Sequence, residues 1–340
     1  MAPLVSFCIP TYNGMAYFPE LMETLLPQLD GDAEIIISDD CSSDGTYEYA
    51  LELQKRDTRI HVYRNAANLG MDGNFHQAVN YATGTYIWFS GQDDRFGKDA
   101  YMTFRNLLIR HPDTDCVYFN YRQYFSEPTP HYGETYLPLH KDFFSHNADE
   151  YFARLDRAPS FLPAIVMRRD FWQKTDLSPF YGTLYIQVGC WLLHAKDAHV
   201  YVVADPTHID CRCPLDSWKY TDGTMWYKTK IGTLATYCLA LDLNPQSYPR
   251  FAYEKIRSAF LRELPFDGIF FKAQGMQVKK QQRKLTRLVF GRQPLLYYGY
   301  VLPLLFIPRP LACLVARCCN NRWGQSIFHW LRRTLLPFRN

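Results

Sequence analysis

The chain has 340 residues, 47% of them hydrophobic, and a formal net charge of +3, enough for one large domain, or a domain with an appendage, around a well-buried core. The charge is unevenly placed: Gly268 to Asn340 holds 13 Lys or Arg and no Asp or Glu, leaving 24 basic against 34 acidic residues elsewhere. A purely basic tail on an acidic body asks for a polyanionic partner, nucleic acid or an anionic membrane surface.

The tail's long apolar run disfavours nucleic acid. Neither GxGxxG nor GxxxxGK[ST] occurs, which excludes the common dinucleotide and P-loop phosphate cradles. Ten cysteines show no CxxC, and a chain of this size needs no staples, so they read as reduced thiols. The start, MAPLVSFCIP, runs into a strand without a charged leader, so no secretory signal is expected.

Short apolar, β-branched or aromatic runs at Leu4 to Ile9, Ala33 to Ser38, Ile60 to Tyr63, Thr85 to Ser90 and Cys116 to Asn120 predict strands. Between them Tyr17 to Leu29, Thr46 to Lys55, Asn74 to Tyr81 and Lys98 to His111 are helical in character. This alternation predicts an α/β, doubly wound, mainly parallel sheet. Tyr121 to Pro159 reads as loop, because Pro128, Pro130, Gly133 and Pro138 interrupt any period. Regular structure resumes at Phe161 to Trp172, a helix near Thr183 to Leu193, a strand at His199 to Ala204 and a helix over Trp218 to Leu241. The expected division is 1–243 as the main domain, in halves of about 1–120 and 121–243, followed by 244–340.

Leu295 to Ala316 is 22 residues with Arg309 as the one charge. Length permits a span, but Pro303, Pro308 and Pro310 favour a re-entrant or interfacial segment. Ile327, Phe328, Leu331, Thr334 and Leu335 recur at helical spacing beyond it, as an amphipathic surface helix would.

Three polar clusters each follow an apolar run: Pro10, Thr11, Tyr12 and Asn13; Asp39 and Asp40 through Asp44; and Gln92, Asp93 and Asp94. Groups at successive strand ends converge on the crevice where open α/β sheets bind ligands. Tyr12 offers a π face to a base. Asp39 or Asp40 would accept from a base or ribose while Ser43 or Asp44 caps the next helix. Adjacent Asp93 and Asp94 repel unless a cation lies between them, and oxygen-only ligation suits Mg²⁺ or Mn²⁺. Asn68 and Asn74 flank a further turn before a helix. His208 is an additional candidate metal ligand, with Asp210 and Arg212 beside it. Tyr118, Tyr121, Tyr124, Tyr132 and Tyr136 form either a sugar platform or packing.

In order, Ile9-Pro10-Thr11-Tyr12-Asn13, Ser38-Asp39-Asp40 through Asp44-Gly45-Thr46, Asn68-Leu69-Gly70 and Gly91-Gln92-Asp93-Asp94 resemble a family 2 glycosyltransferase of GT-A fold, specifically bacterial enzymes of O-antigen or other surface polysaccharide synthesis. The resemblance covers roughly residues 4–200. It implies an inverting hexosyl- or deoxyhexosyltransferase with a nucleotide-sugar donor and a lipid-linked saccharide acceptor. It also implies Tyr12 stacking on the base, Asp39 or Asp40 on base or ribose, Asp93 on ribose or sugar, and Asp94 on the metal. The basic region 268–340 would then hold the protein, peripheral or monotopic, on the cytoplasmic face of the plasma membrane.

One position departs from the pattern. Gln187 stands where the family's general base is expected, and an amide cannot take a proton. Asp176 is the nearest substitute, with Asp170 behind it. A non-catalytic sugar or nucleotide binder, or a nucleotidyltransferase, is the alternative reading.

Overall fold

The computed structural model describes residues 2–126, 129–213 and 223–320. These fall into two compact units, the described residues up to 181 with 185–213 and 246–248 in one, and 182–184, 223–245 and 249–320 in the other.

The first unit is built on an eight-stranded sheet. In chain order its main elements are β1 (Val5–Thr11), α1 (Phe18–Leu25), β2 (Ala33–Asp39), α2 (Thr46–Arg56), β3 (Ile60–Arg64), α3 (Gly70–Tyr81), β4 (Tyr86–Phe89), β5 (Arg95–Phe96), α4 (Ala100–Arg110), β6 (Cys116–Phe119), β7 (Arg122–Phe125), β8 (His131–Thr135), β9 (Phe143–Ser145), α5 (Ala148–Arg154), β10 (Ile165–Arg168), α6 (Arg169–Gln173), α7 (Ile186–His194), β11 (Val200–Val203) and β12 (Ile209–Arg212). The sheet order is β3-β2-β1-β4-β10-β6-β11-β9. Strands β3, β2, β1 and β4 are parallel, β6 and β11 are parallel, and β10 runs antiparallel between β4 and β6.

Every residue of β2 and β4 is buried, as expected of strands covered on both faces. Trp88 anchors the core. Its ring stacks at 4.9 Å on Phe7 and 5.1 Å on Phe119, and its indole N–H donates to Pro163 O at 2.8 Å.

Register sets the site. Thr11 of β1 pairs with Asp39 of β2, and Asp39 pairs with Arg64 of β3, so these strands end level and their turns lie side by side. β4 ends opposite Cys8, and residues 90–94 carry the chain on to the same rim.

The stretch expected to be loop is ordered as β7, β8, β9 and α5. Here β7, β12 and β5 form a second sheet with β8, in the order β5-β12-β7-β8. The strands of the main sheet that precede them, β4, β6 and β11, each run on past the rim into this smaller sheet. Short strands paired with segments nearly a hundred residues away leave no local period to read. The large parallel sheet with its helices is a GT-A-type arrangement.

The second unit is helical: α8 (Gly223–Leu243), α9 (Arg250–Glu263), α10 (Ile269–Ala273), α11 (Lys280–Phe290), a bent pair α12 (Pro294–Leu305) and α13 (Arg309–Asn320). Trp226 packs on Phe271 at 5.2 Å, Phe260 stacks on Phe290 at 5.8 Å, and the Tyr227 hydroxyl meets Thr286 Oγ1 at 2.6 Å. Residues 223–243 therefore group with the C-terminal helices. Residues 218–222, and the expected amphipathic helix over 327–335, lie outside the described residues.

Candidate active site

Three turns are tied together at the rim. The Tyr12 amide donates to Gln92 Oε1 at 2.8 Å and Gln92 Nε2 donates back to Tyr12 O at 3.0 Å. This fastens the turn after β1 to the turn after β4. A side chain at Gly14 would place its Cβ 2.3 Å from Gln92 Oε1, so only glycine allows the approach. On the other side the Asn13 amide donates to Ser42 Oγ at 2.9 Å, and Asn13 Oδ1 accepts from the Ser43 amide at 2.9 Å. Asn13 takes the left-handed conformation with φ 47°, which asparagine tolerates. The Tyr12 ring is left half exposed.

The acidic run after β2 divides its labour. Asp44 Oδ1 accepts from the Thr46 amide at 3.1 Å and from the Thr46 hydroxyl at 2.5 Å, while its other oxygen accepts from the Met15 amide at 3.0 Å. Desolvation pushes its pKa up, and these bonds outweigh it and hold the carboxyl below the usual aspartate range. Of the two residues considered for capping α2, Asp44 makes these bonds.

Asp39 is fully buried. Its oxygens accept from the Ser42 amide at 3.1 Å and the Thr11 hydroxyl at 3.4 Å, and Arg64 Nε lies at 3.4 Å. Asp40, also buried, accepts from Asn65 Nδ2 at 2.9 Å and from the amides of Leu69 and Gly70 at 2.8 and 3.0 Å. Asp40 is thus a latch on the entry to α3. Asn68 supports the same turn, accepting the Gly70 amide at 3.0 Å. Asn74 is buried, donating to Thr11 O at 3.2 Å and accepting from Asn65 at 2.9 Å. Asp40 and Asn74 thus also tie the turns of the rim to one another.

Asp93 is partly exposed and Asp94 buried. A Cβ at Gly91 would stand 2.6 Å from Asp94 Oδ2 and 3.0 Å from Asp93 Oδ1, so the chain folds back over both carboxylates. Arg212 of β12 grips this turn. Its amide donates to Asp94 Oδ1 at 3.3 Å, its Nε to Asp93 O at 2.8 Å, and its guanidinium pairs with Glu20 of α1. That guanidinium also lies over Tyr17 at 5.2 Å and Tyr124 at 5.3 Å, and Arg95 pairs with Glu20 at 3.2 Å. Arg212 thus ties the Asp93–Asp94 turn to α1. Glu20 and Arg95 carry no sequence signal, because their partner lies on a distant strand.

His208 packs between β5 and α4. Its Nδ1 faces Lys98 O at 3.2 Å, and its Nε2 faces Thr103 Oγ1 at 3.5 Å and Asp205 at 3.8 Å. Among the described residues no group of three or more His, Cys, Asp or Glu is arranged around a common cation position. An ion held by Asp93 and Asp94 would complete its shell with ligand oxygens and water, the ordinary habit of Mg²⁺.

Gln187 is the second residue of α7 and is buried. Its Nε2 donates to Ser160 O at 3.4 Å, and its Oε1 has no hydrogen-bond partner among the described residues. Asp176 is exposed and caps a short turn, accepting the Ser178 amide at 2.9 Å. The Ser178 amide and hydroxyl hold its pKa below the usual range, which makes it a weak base. Asp170 pairs with Lys174 at 2.6 Å. The tyrosines mostly pack: Tyr121 stacks on Tyr136 at 4.5 Å and lies tilted against Phe161 at 4.3 Å, and Arg122 lies 3.5 Å over Tyr132.

The mainly parallel sheet, with an aromatic face, buried carboxylates and an acidic pair at its strand ends, has the GT-A architecture. The sequence profile of glycosyl transferase family 2 matches residues 6–193, and the chain belongs to that family. It is 31% identical over 236 residues to the abequosyltransferase RfbV of Salmonella typhimurium, covering 64% of this chain and 68% of that protein. Its fold is similar to that of TarS from S. aureus, with a TM-score of 0.61 and 16% identity over 95% of this chain and 93% of that one. It is also similar to a mannosyltransferase from Pyrobaculum calidifontis solved with GDP-Man and Mn²⁺, with a TM-score of 0.50 and 12% identity over 96% of this chain and 83% of the other. The protein is therefore a glycosyltransferase.

Proposed function

We propose that this glycosyltransferase moves a hexosyl or deoxyhexosyl unit from a nucleotide sugar to a lipid-linked saccharide, with inversion, in bacterial surface polysaccharide synthesis. The observation that carries this is the single rim on which Tyr12, Asp39 and the Asp93–Asp94 turn meet, fastened by the reciprocal Tyr12–Gln92 bonds. The likeness to an abequosyltransferase supports the deoxyhexosyl option and the polysaccharide context. Tyr12 stacks on the donor base. Asp39 takes the base or ribose by exchanging its longer contacts, those at 3.4 Å, for donor groups. Pro10, Thr11 and Asn13 shape the wall, and Gln92 sets the distance between base and sugar ends.

Asp93 and Asp94 would hold Mg²⁺ or Mn²⁺, and such an ion neutralises charge building on the leaving diphosphate. The partnerless Gln187 Oε1 accepts a hydrogen bond from the acceptor hydroxyl and orients it without keeping the proton. That amide also favours the second reading, a binder without turnover. Incubating the purified protein with a panel of nucleotide sugars, Mn²⁺ and a lipid-linked acceptor separates the two. Metal-dependent release of nucleoside diphosphate supports transfer. Release of pyrophosphate would mean a nucleotidyltransferase, and tight binding with no product would mean the binder.

The second unit would bring the site to the membrane. No single helix among the described residues is long and apolar enough to cross a bilayer. Pro294–Leu305 and Arg309–Arg317 reach that length and composition only together, bent by 82°. An interfacial, bent pair flanked by basic residues fits contact with the cytoplasmic leaflet.

A further inference from the structure

Helix α11 has two chemically opposite faces. Leu285, Thr286, Val289 and Phe290 are buried, whereas Arg283, Lys284 and Arg287 are exposed. Those three cations, with Leu288 and Tyr297, line an open cavity of about 620 Å³. Three other cations of the same unit are paired with acids: Arg257 with Glu254 at 3.3 Å, Arg292 with Asp242 at 2.8 Å and Lys230 with Glu263 at 2.6 Å. Arg283, Lys284 and Arg287 have no acidic partner among the described residues, and no Asp or Glu occurs after Asp267.

Like charges at i, i+3 (Lys284 and Arg287) and i, i+4 (Arg283 and Arg287) repel, so the cluster carries a standing cost unless an anion shares it. Part of its geometry is already set. Arg283 Nε donates to Val278 O at 3.1 Å and its guanidinium lies 5.0 Å over Phe306. The neighbouring bent pair exposes apolar side chains: Leu295 is 91% exposed, Tyr298 64% and Leu314 57%. A cationic cavity beside exposed aliphatic and aromatic groups matches an amphiphile with an anionic head and an apolar tail.

We propose that this cavity seats the phosphate headgroup of an anionic membrane phospholipid, with Arg283, Lys284 and Arg287 on the phosphate oxygens and the acyl chains running beside Leu295 and Tyr298. Guanidinium groups match the paired oxygens of a phosphodiester. The inference rests on the reading that the second unit meets a membrane, and it adds a discrete, saturable site to what would otherwise be diffuse attraction.

Two measurements on the full chain separate site from surface. The first is sedimentation with vesicles of phosphatidylcholine alone and of phosphatidylcholine with phosphatidylglycerol. The second is titration with dihexanoylphosphatidylglycerol kept below its micelle concentration, where no membrane exists. The wild type should sediment with the anionic vesicles and bind the short-chain lipid saturably. Arg283→Gln/Lys284→Gln/Arg287→Gln should abolish the saturable binding and weaken vesicle partition about a hundredfold, each cation contributing roughly a fivefold factor. Unchanged circular dichroism verifies the fold, and Arg287→Gln alone serves if the triple variant does not fold.

Vesicle binding without saturable short-chain binding would overturn the headgroup site and leave the membrane reading intact. Saturable binding without vesicle binding would do the reverse. Equal displacement by inorganic phosphate would overturn the lipid assignment in favour of free phosphate.

Discussion

At Asp94 a buried carboxylate beside a second acid is held in place by a strand over a hundred residues away, through the Arg212 amide. If the pair holds the ion, Asp94→Ala abolishes metal-dependent transfer while circular dichroism and the melting temperature stay near wild type; full activity would remove the assignment. Arg212 acts one step back, as a positioning residue. Arg212→Lys keeps the charge but cannot reach Asp93 O and Glu20 at once. The concentration of Mn²⁺ for half-maximal activity should rise about tenfold to a hundredfold, the equivalent of about 1.5–3 kcal/mol for hydrogen bonds to charged groups. A loss of kcat with unchanged Mn²⁺ dependence would contradict that role. At Gln187, substitution by Glu restores a proton acceptor. The expected result is an acidic limb in the rate–pH profile that the wild type lacks, and a profile identical to wild type would place the acceptor elsewhere.

Among the elements, α2 and its approach show how a turn is made rigid. Asp44 receives the Met15 and Thr46 amides, so Asp44→Ala should lower global stability by about 1 kcal/mol, read as a shift in the urea midpoint without change in slope. Because the folded carboxyl titrates lower than the unfolded one, its contribution is complete above the ordinary aspartate pKa and is lost as pH falls through the depressed folded value. The wild type and the Ala variant should therefore converge in stability only in strong acid. The strands of the main sheet were legible because β1, β2 and β4 are mostly apolar, β-branched or aromatic and end in turn residues. The second sheet was not. β7 is four residues long and takes its parallel partner from β12, so its stability comes from pairing rather than from any local pattern.

For the molecule as a whole, the grouping of residues 223–245 with the C-terminal helices alters where a truncation should fall. Cutting after Leu243 would strip α8 of its partners Phe271 and Thr286. We expect that fragment to aggregate or to melt lower than the full chain, measured by size exclusion and thermal scanning, and a well-behaved fragment would refute the grouping.

From the sequence alone came the α/β class, the family pattern and the location of three polar turns, since strand-length apolar runs ending in acids, hydroxyls and an aromatic are local signals. Tertiary structure alone decided which partners each acid takes within the protein. Asp39 and Asp40 are neighbours of the same chemistry, yet Asp40 is claimed by amides at Leu69 and Gly70, 29 and 30 residues on. Burial and long-range hydrogen bonding assign those roles, and neither is written in the order of nearby residues.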